Sequence, residues 1–285
     1  MYSRMHYRWR AKNLPELVIS VCVIALIVIV TTIVDRQIYR GRPSADGEPL
    51  SMVRYCDNTT TFSHEKDGHT KITKLLPIHM EMESLHVFLR YVSRAKTYLE
   101  WGSGGSTQLA PYLVSGIAVS IEHNMEWCRI MLEENIMVAT ARAESLLFYH
   151  CVNTHVELQK WGLPAQELSD EELVGMATLY LNEGTKALLH LRDFTDTATF
   201  DFVLIDGRFR VACALHLMIN GMLNPESLVM IHDFSNRKKY HVILRYYDMA
   251  LSASHSMSSV LLRPKHVFDR QKIVRDYVHY LREVG

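Results

Sequence analysis

The fold of this chain is decided by the stretch Lys96-Thr97-Tyr98-Leu99-Glu100-Trp101-Gly102-Ser103-Gly104-Gly105-Ser106-Thr107. A short apolar run reaches an acid, a loop of glycines and hydroxyl residues follows, and residues 108–113 begin a helix. Glycines permit positive φ and let a ligand approach the backbone closely, and free N–H groups at a helix start face polar or anionic groups. A tight turn that binds nothing uses the same residues, so the loop alone leaves both interpretations open.

A second acid supports a ligand site. Residues 116–123, Gly-Ile-Ala-Val-Ser-Ile-Glu-His, predict the next strand, with Glu122 at its carboxyl end. This acid lies about 20 residues beyond the loop, the offset of the ribose-binding acid in a Rossmann-type unit. A pyrophosphate would be repelled by Glu100 beside the loop, whereas a ligand with a cationic amino-acid end would be attracted.

Glu100-x-Gly102-x-Gly104 resembles the first motif of class I S-adenosylmethionine-dependent methyltransferases, with Gly105 and Ser106 at the third small position. The resemblance covers about residues 96–236 and implies an α/β fold with a doubly wound, mostly parallel sheet. It also implies S-adenosyl-L-methionine as the cofactor. The cofactor-binding residues that it implies are Glu100, Gly102, Ser103, Gly104, Gly105, Ser106, Glu122, His123, Asn153 and Asp206.

Two later strands end in polar residues. Residues 203–205 predict a buried strand that ends at Asp206, and residues 227–231 predict another that ends at His232 and Asp233. Ligands bind at the carboxyl ends of strands in open α/β sheets. Each acid on its own is explained as a helix or turn cap. The ordered set favours a binding site, because carboxylates gathered at one sheet edge are unfavourable unless they bind something.

Methyl transfer to a hydroxyl needs in-line alignment, exclusion of water and removal of a proton. Asp206, His232 and Asp233 are the catalytic candidates, and His232 is the natural neutral base, although a supporting histidine fits the same pattern. Arg208 and Arg210 are candidates for binding a carboxylate or phosphate of the acceptor. Their alternative role is to pair with neighbouring acids.

A metal is a further expectation. Asp206 and Asp233 resemble the paired metal-binding acids of catechol-type O-methyltransferases, and oxygen ligands suit a hard divalent ion such as magnesium. That family has Asn directly after the second acid, whereas this chain has Phe234, with Asn236 two residues further on. This departure weakens the expectation of a metal.

The amino-terminal region predicts a membrane anchor. Residues 1–13 form a short basic tail, predicted to be cytoplasmic, and residues 14–34 are almost wholly apolar and long enough to span a bilayer. A cleaved signal peptide or a buried helix are the alternatives. Residues 35–71 predict a stem or linker with the glycosylation sequon Asn58-Thr59-Thr60, and residues 72–285 predict the methyltransferase-like domain.

This layout is that of type II Golgi glycan-modifying enzymes. It predicts a single-pass type II protein of the Golgi or endoplasmic reticulum, with a lumenal catalytic domain. The 285-residue chain has a formal net charge of +0, which gives no support for a nucleic-acid partner. Its five cysteines form no CxxC pair, so a zinc site is not expected, and Cys56, Cys128, Cys151 and Cys213 are open to disulfides or to buried thiols.

Secondary structure away from the motifs is predicted from periodicity and capping. Helices are expected over 81–95, 126–139, 211–222 and 240–253, with strands over 145–153 and 259–263. A helix opened by the capping box Ser169-x-x-Glu172 is expected to run to about residue 191, and residues 268–282 predict a final helix or a strand–helix pair.

The sequence thus predicts a membrane-anchored methyltransferase, most simply an O-methyltransferase that acts on a glycan or on a small hydroxyl or acid acceptor. A catalytically silent domain of the same fold, used for binding or scaffolding, is the alternative. A nicotinamide-dependent oxidoreductase is disfavoured by Glu100 and by the missing GxGxxG pattern.

Overall fold

The computed structural model describes residues 60–66, 69–153, 168–191, 198–251 and 257–284. The predicted tail, the predicted membrane segment 14–34 and the predicted linker up to residue 59 lie outside these ranges. Within them, the helices are too short or too polar for any one of them to cross a bilayer.

A two-stranded antiparallel hairpin opens the described chain. Strand β1 (Thr60–Lys66) pairs with β2 (His69–Leu75) along its whole length. This hairpin was not predicted, since it begins in the range expected to be a linker and crosses the predicted domain boundary at residue 72. Its lysines, threonines and histidines are polar, so the apolar alternation that identifies a half-buried strand is weak there.

A seven-stranded sheet forms the centre of the domain, in the order β5-β4-β3-β6-β7-β9-β8. The strands from β5 to β7 are all parallel to their neighbours, whereas β9 is antiparallel to both β7 and β8. The chain order reverses between β3 and β6, which places the ligand crevice of such a fold there. The strands are β3 (Thr97–Trp101), β4 (Ile117–Glu122), β5 (Leu147–Cys151), β6 (Phe200–Ile205), β7 (Leu223–Ile231), β8 (Tyr247–Leu251) and β9 (Val260–Pro264).

Helices cover both faces of this sheet, as the doubly wound prediction requires. Helices α1 (Met82–Val92), α2 (Gly105–Leu113) and α4 (Ile136–Ala143) pack on one face. Helices α5 (Asp170–Leu191), α6 (Arg210–Ile219) and α7 (Arg270–Tyr280) pack on the other. Every residue of β3 and β4 is buried, as expected for parallel strands covered on both sides.

Several predicted elements are confirmed. Helix α1 lies within the predicted 81–95, and β9 lies almost wholly within the predicted late strand. Helix α5 begins after Ser169, whose hydroxyl accepts the backbone N–H of Glu172 at 3.3 Å, while the Glu172 carboxylate accepts the Ser169 backbone N–H at 2.8 Å. This reciprocal pair is the capping box read from the sequence.

The helix predicted over 126–139 is divided. Helix α3 (Met125–Arg129) continues into a π-helical turn (Ile130–Glu134), and Asn135 then starts α4. The Asn135 side chain accepts the backbone N–H of Val138 at 3.1 Å, so it caps the new helix. The apolar spacing continues across this break, which explains why periodicity did not reveal it.

The prediction of a helix over residues 240–253 was wrong. A 3-10 helix (Lys238–Arg245) is followed by strand β8. Tyr240, Ile243 and Tyr246 are buried at a spacing of three, the repeat of a 3-10 helix, in which residues three apart lie on one face. From Tyr247 onward, antiparallel pairing with β9 outweighs the helical propensity of the segment.

Candidate active site at the carboxyl edge of the sheet

The glycine loop turns where β3 meets β6. Gly102 has φ +93°, and a Cβ at this position would lie 2.5 Å from the Gly207 nitrogen. The Trp101 carbonyl accepts the backbone N–H groups of Asp206 at 2.9 Å and Gly207 at 2.7 Å, so the loops after the two strands touch. The fold therefore requires glycine at position 102.

The next two glycines differ in their surroundings. A Cβ at Gly105 would lie 2.4 Å from the Pro77 carbonyl oxygen, so packing explains this glycine. A Cβ at Gly104 would meet nothing within 4 Å, and its φ of −177° is extended backbone that any residue adopts. Neither strain nor packing explains Gly104, which leaves open space at the amino-terminal end of α2.

Glu100 lies beneath this loop and is fully buried. Its carboxylate accepts hydrogen bonds from the hydroxyl groups of Tyr98 at 2.7 Å, Ser106 at 2.9 Å, Ser120 at 2.7 Å and Thr107. Burial raises the pKa of the Glu100 carboxyl, and the hydroxyl donors oppose that rise. Glu100 thus ties β3 to the start of α2. A direct contact with a cofactor stays a prediction and requires the exchange of one of these donors.

Glu122 fixes the loop from the neighbouring strand. One of its oxygens accepts the backbone N–H of Ser103 at 2.8 Å and the Ser103 hydroxyl at 2.9 Å. The other accepts the N–H groups of His123 at 2.9 Å and Asn124 at 2.8 Å. Burial alone raises the pKa of the Glu122 carboxyl, but His123 and these backbone donors outweigh burial and lower it. Glu122 is therefore an ionised carboxylate beside the loop.

Two aromatic residues that the sequence analysis missed also hold Ser103. The Tyr149 hydroxyl lies 2.6 Å from the Ser103 hydroxyl, and the Trp127 indole N–H donates to the Ser103 carbonyl over 2.7 Å. Their separations from Ser103, 46 and 24 residues, leave no local pattern from which these contacts could be read. The predicted adenine contact Asn153 is exposed just past β5.

A disulfide lies next to this part of the site. Cys128 of α3 is joined to Cys151 of β5, and Cys151 is the register partner of Glu122 across β4 and β5. The cross-link therefore fastens α3 to the sheet beside the end of β4. Cys213 is a buried free thiol.

Asp206 and His232 form the second centre. Asp206 follows β6, His232 follows β7, and Oδ1 of Asp206 lies 2.8 Å from Nδ1 of His232. A carboxylate can only accept, so Nδ1 carries the proton and Nε2 keeps a lone pair. Burial alone lowers the pKa of the His232 imidazole, but the hydrogen bond and charge of Asp206, with a smaller effect of Asp233, outweigh burial and raise it.

Arg210 lies inside this centre. Its side chain is 11% exposed, and its guanidinium lies 3.3 Å from Oδ1 of Asp206 and 3.2 Å from Oδ2 of Asp233. It also donates to the carbonyl oxygens of Asp206 at 3.2 Å, Gly207 at 3.0 Å and His232. Arg210 therefore fills the alternative role of pairing with neighbouring acids, contrary to the expectation that it binds the acceptor.

Arg208 differs from Arg210. It is half-buried in the turn between β6 and α6. Its guanidinium makes no ion pair or hydrogen bond with any residue in the described ranges. Of the two arginines predicted to bind the acceptor, Arg210 is therefore held by contacts within the fold, whereas the Arg208 guanidinium is free of such contacts in the described ranges and can bind a ligand.

The predicted metal does not fit this arrangement. Asp206 and Asp233 share the cation of Arg210, and Asp233 is bound by Arg237 as well, at 3.2 Å. Within the described ranges, no cluster of three His, Cys, Asp or Glu side chains is placed to hold a metal ion. A divalent ion would have to displace two guanidinium groups, so no chemical step is assigned to a metal at this centre.

The fold is similar to that of a solved methyltransferase-like protein. A methyltransferase-like protein of Silicibacter pomeroyi DSS-3 superposes with a TM-score of 0.52 at 20% identity, over 73% of this chain and 98% of that chain. This likeness confirms the predicted Rossmann-like α/β fold.

Two O-methyltransferases align less well. That of Bacillus cereus, solved with S-adenosylhomocysteine, has a TM-score of 0.40 at 15% identity, over 67% of this chain and 84% of that chain. TomG of Streptomyces achromogenes, solved with S-adenosylmethionine, has a TM-score of 0.39 at 14% identity, over 67% and 82%. Neither a protein-family model nor a curated protein matches the sequence.

Proposed function

We propose that this chain is an S-adenosylmethionine-dependent methyltransferase, acting on a hydroxyl group of its acceptor. The observation that carries the proposal is Gly104. This glycine stands at the topological switch point, yet a Cβ there would meet no atom within 4 Å apart from those of its chain neighbours. A position where the fold tolerates a side chain, but which has none, is suited to the close approach of a ligand to the backbone.

The residues around Gly104 fit a sulfonium nucleoside. The ionised Glu122 lies at the end of the neighbouring strand, where a ribose-binding acid is expected. It holds Ser103 in place, so a ribose hydroxyl would share or replace the Ser103 hydroxyl as a donor. Asn153 lies past β5 on the same edge of the sheet and keeps its proposed adenine contact. When bound, the cofactor supplies the electrophilic methyl group.

His232 is proposed to be the general base that removes the proton of the acceptor hydroxyl. Asp206 fixes the imidazole through Nδ1, which leaves the basic Nε2 to take the proton from an acceptor hydroxyl. Arg210 binds both Asp206 and Asp233, whose carboxylates lie 2.8 Å and 3.8 Å from Nδ1 of His232, so the Asp206–His232 pair is positioned before the acceptor arrives. The role of Asp233 is to pair with Arg210 and Arg237 and so to shape this end of the site.

The acceptor is proposed to carry an acidic group or a sugar. Arg208 is proposed to bind the acidic group of the acceptor, because its guanidinium can form two parallel hydrogen bonds with a carboxylate or phosphate. We propose a glycan or a small hydroxyl acid as the acceptor, with Arg208 as the recognition residue.

The setting is proposed to be the lumen of the secretory pathway, with residues 14–34 as the anchor. The Cys128–Cys151 disulfide supports an oxidising compartment, because such bonds rarely persist in the cytosol. A protease-protection assay on microsomes tests this placement. Digestion of the domain without detergent would put it on the cytosolic side and contradict the proposal.

Calorimetric titration of the purified full-length chain with S-adenosylhomocysteine tests the central claim. We expect saturable binding at one site per chain, with affinity weakened by Glu122→Ala. If the folded chain does not bind at high concentration, the alternative of a silent scaffold domain replaces the enzyme. Binding without transfer of labelled methyl to sugar acids, glycans or catechols would leave the cofactor site intact but reject these acceptors.

A further inference from the structure

A tyrosine of α5 has a buried hydroxyl that the site described so far does not use. Tyr180 is 1% exposed, and its hydroxyl oxygen is buried without a hydrogen-bond partner in the described part of the chain. Buried hydroxyl groups are nearly always paired, because an unpaired one destabilises the fold. The hydroxyl therefore calls for an explanation beyond the packing of its ring.

The hydroxyl lies where the strand order reverses. A Cβ built on Gly207 would lie 2.2 Å from the Tyr180 hydroxyl oxygen and 3.0 Å from the Gly102 nitrogen. The Tyr180 ring also meets the His123 ring edge-on, with centroids 5.2 Å apart. The hydroxyl is thus flanked by the glycine turn after β3, the turn after β6 and the residue that follows Glu122.

The nearby carboxylates do not account for it. Glu100 and Glu122 each already accept four hydrogen bonds from other groups. Burial, with the charge of Glu122, raises the pKa of the Tyr180 phenol, so the hydroxyl keeps its proton and is a donor.

Attachment of α5 to the sheet does not need the hydroxyl either. The Trp101 indole N–H donates to the Tyr180 backbone carbonyl at 3.4 Å, and Gly184 lies so close to the Trp101 ring that an added Cβ would be 2.2 Å from it. A phenylalanine at position 180 would fill the same volume. The described fold therefore does not need the Tyr180 hydroxyl for packing or for the attachment of α5.

We propose that the Tyr180 hydroxyl is a cofactor-binding group, which donates a hydrogen bond to an oxygen of bound S-adenosylmethionine, either of the ribose or of the amino-acid carboxylate. The inference rests on the proposed function and adds α5 to the elements that hold the cofactor. A ligand oxygen in the crevice would give the buried donor its missing acceptor.

The test compares Tyr180→Phe with the wild type, both as full-length chains, by calorimetric titration with S-adenosylhomocysteine. We expect binding about tenfold weaker in the variant, which corresponds to about 1.4 kcal/mol for one hydrogen bond. We also expect its melting temperature without ligand to be no lower than that of the wild type, because an unpaired polar group has been removed.

Tyr247→Phe is the matched control. Tyr247 is equally buried, but its hydroxyl donates to the Ala214 carbonyl at 2.7 Å, away from the crevice. The control should lose thermal stability and keep its affinity, the reverse of the expected result for Tyr180→Phe.

Decarboxylated S-adenosylhomocysteine separates the two acceptor oxygens. A loss of affinity in Tyr180→Phe for both ligands assigns the bond to the ribose, and a loss for the complete ligand alone assigns it to the carboxylate. Equal affinity of wild type and Tyr180→Phe for S-adenosylhomocysteine would overturn this inference and leave the proposed function standing. No binding by the wild type would overturn both.

Discussion

Gly207 donates its backbone N–H to the Trp101 carbonyl over 2.7 Å, so the turns that follow β3 and β6 are joined at the point where the strand order reverses. The bond brings the Gly207 backbone against Gly102 and leaves no room for a side chain on either residue. Gly104, two residues further on, has room. This contrast separates glycines that the fold needs from one that a ligand would need.

Gly102→Ala and Gly104→Ala are therefore expected to behave differently. Gly102→Ala should destabilise the chain, because its φ of +93° and the 2.5 Å approach to Gly207 exclude a methyl group. Gly104→Ala should keep the wild-type melting temperature and lose S-adenosylhomocysteine binding by tenfold or more. Thermal denaturation and calorimetry on the two variants measure both effects. Full binding by Gly104→Ala would show that the cofactor does not approach the Gly104 backbone closely. The proposed function would then lose the support that it takes from this glycine.

The two buried acids should also separate. Glu100→Gln should lower thermal stability, because an amide group in place of one oxygen cannot accept from all the hydroxyl groups that surround Glu100. Glu122→Gln keeps the side-chain volume and replaces one acceptor oxygen by an amide. We expect Glu122→Gln to weaken S-adenosylhomocysteine binding more than Glu100→Gln does, and to lower the melting temperature less. The opposite ranking of the two variants in binding would move the ribose contact from Glu122 to Glu100.

His232 should titrate above its usual range. Its pKa is raised in the folded chain, so the Asp206–His232 pair stabilises the fold at pH below about 6.5, and this contribution is lost as the pH rises through the raised pKa. Proton removal needs the neutral imidazole, so methyl transfer should increase through the same range. Histidine NMR of the labelled chain follows the titration, with His232→Asn to assign the resonance.

Asp206→Asn is the control for that titration. It removes the charge that raises the pKa, and the His232 resonance should then titrate at lower pH than in the wild type. A resonance that titrates at the same pH in both proteins would mean that Asp206 does not set the protonation of His232.

Local patterns predicted the parts of the site that depend on strand ends. Glu122 and Asp206 were found because a buried strand of about five residues is readable in sequence and its carboxyl end is then fixed. The aromatic partners of Ser103 were not, because Trp127 and Tyr149 lie 24 and 46 residues away in the chain. For Arg210, the sequence left open whether it binds the acceptor or pairs with neighbouring acids. Gly104 and Gly105 look alike in the sequence, and the close approach of Pro77 and Ile78 to Gly105 distinguishes them.

The same limit applies to the fold. Backbone pairing with another strand decides the hairpin of β1 and β2 and the strand β8, while the local sequence of each favours no strand strongly. Helices that carry their own caps, such as α5 with Ser169 and Glu172, were predicted correctly from a few adjacent residues.

Acid should weaken the fold through His216. Burial lowers the pKa of this imidazole to about 4, and its ring nitrogens lie 2.7 Å from the Thr185 hydroxyl and 3.1 Å from the Tyr277 hydroxyl. The folded pKa is below the unfolded one, so this contribution is complete above pH ~6.5 and is lost as the pH falls toward 4. By linkage the loss is about 2 kcal/mol at pH 5. Urea denaturation at pH 7 and at pH 5 measures the free energy of unfolding at each pH. The difference between these two free energies should be smaller in His216→Gln than in the wild type.

Reduction of the Cys128–Cys151 bond should destabilise the domain without abolishing the fold. The bond closes a loop with a sequence separation of 23 residues, for which the chain-entropy relation gives about 3 kcal/mol. It also fastens α3 beside Glu122, so the double variant Cys128→Ser, Cys151→Ser should bind S-adenosylhomocysteine more weakly than the wild type. Denaturation with and without dithiothreitol measures the stability term, and the double variant should not respond to the reductant. A wild-type chain purified from a secretory host with all its thiols free would contradict both the cross-link and the lumenal setting inferred from it.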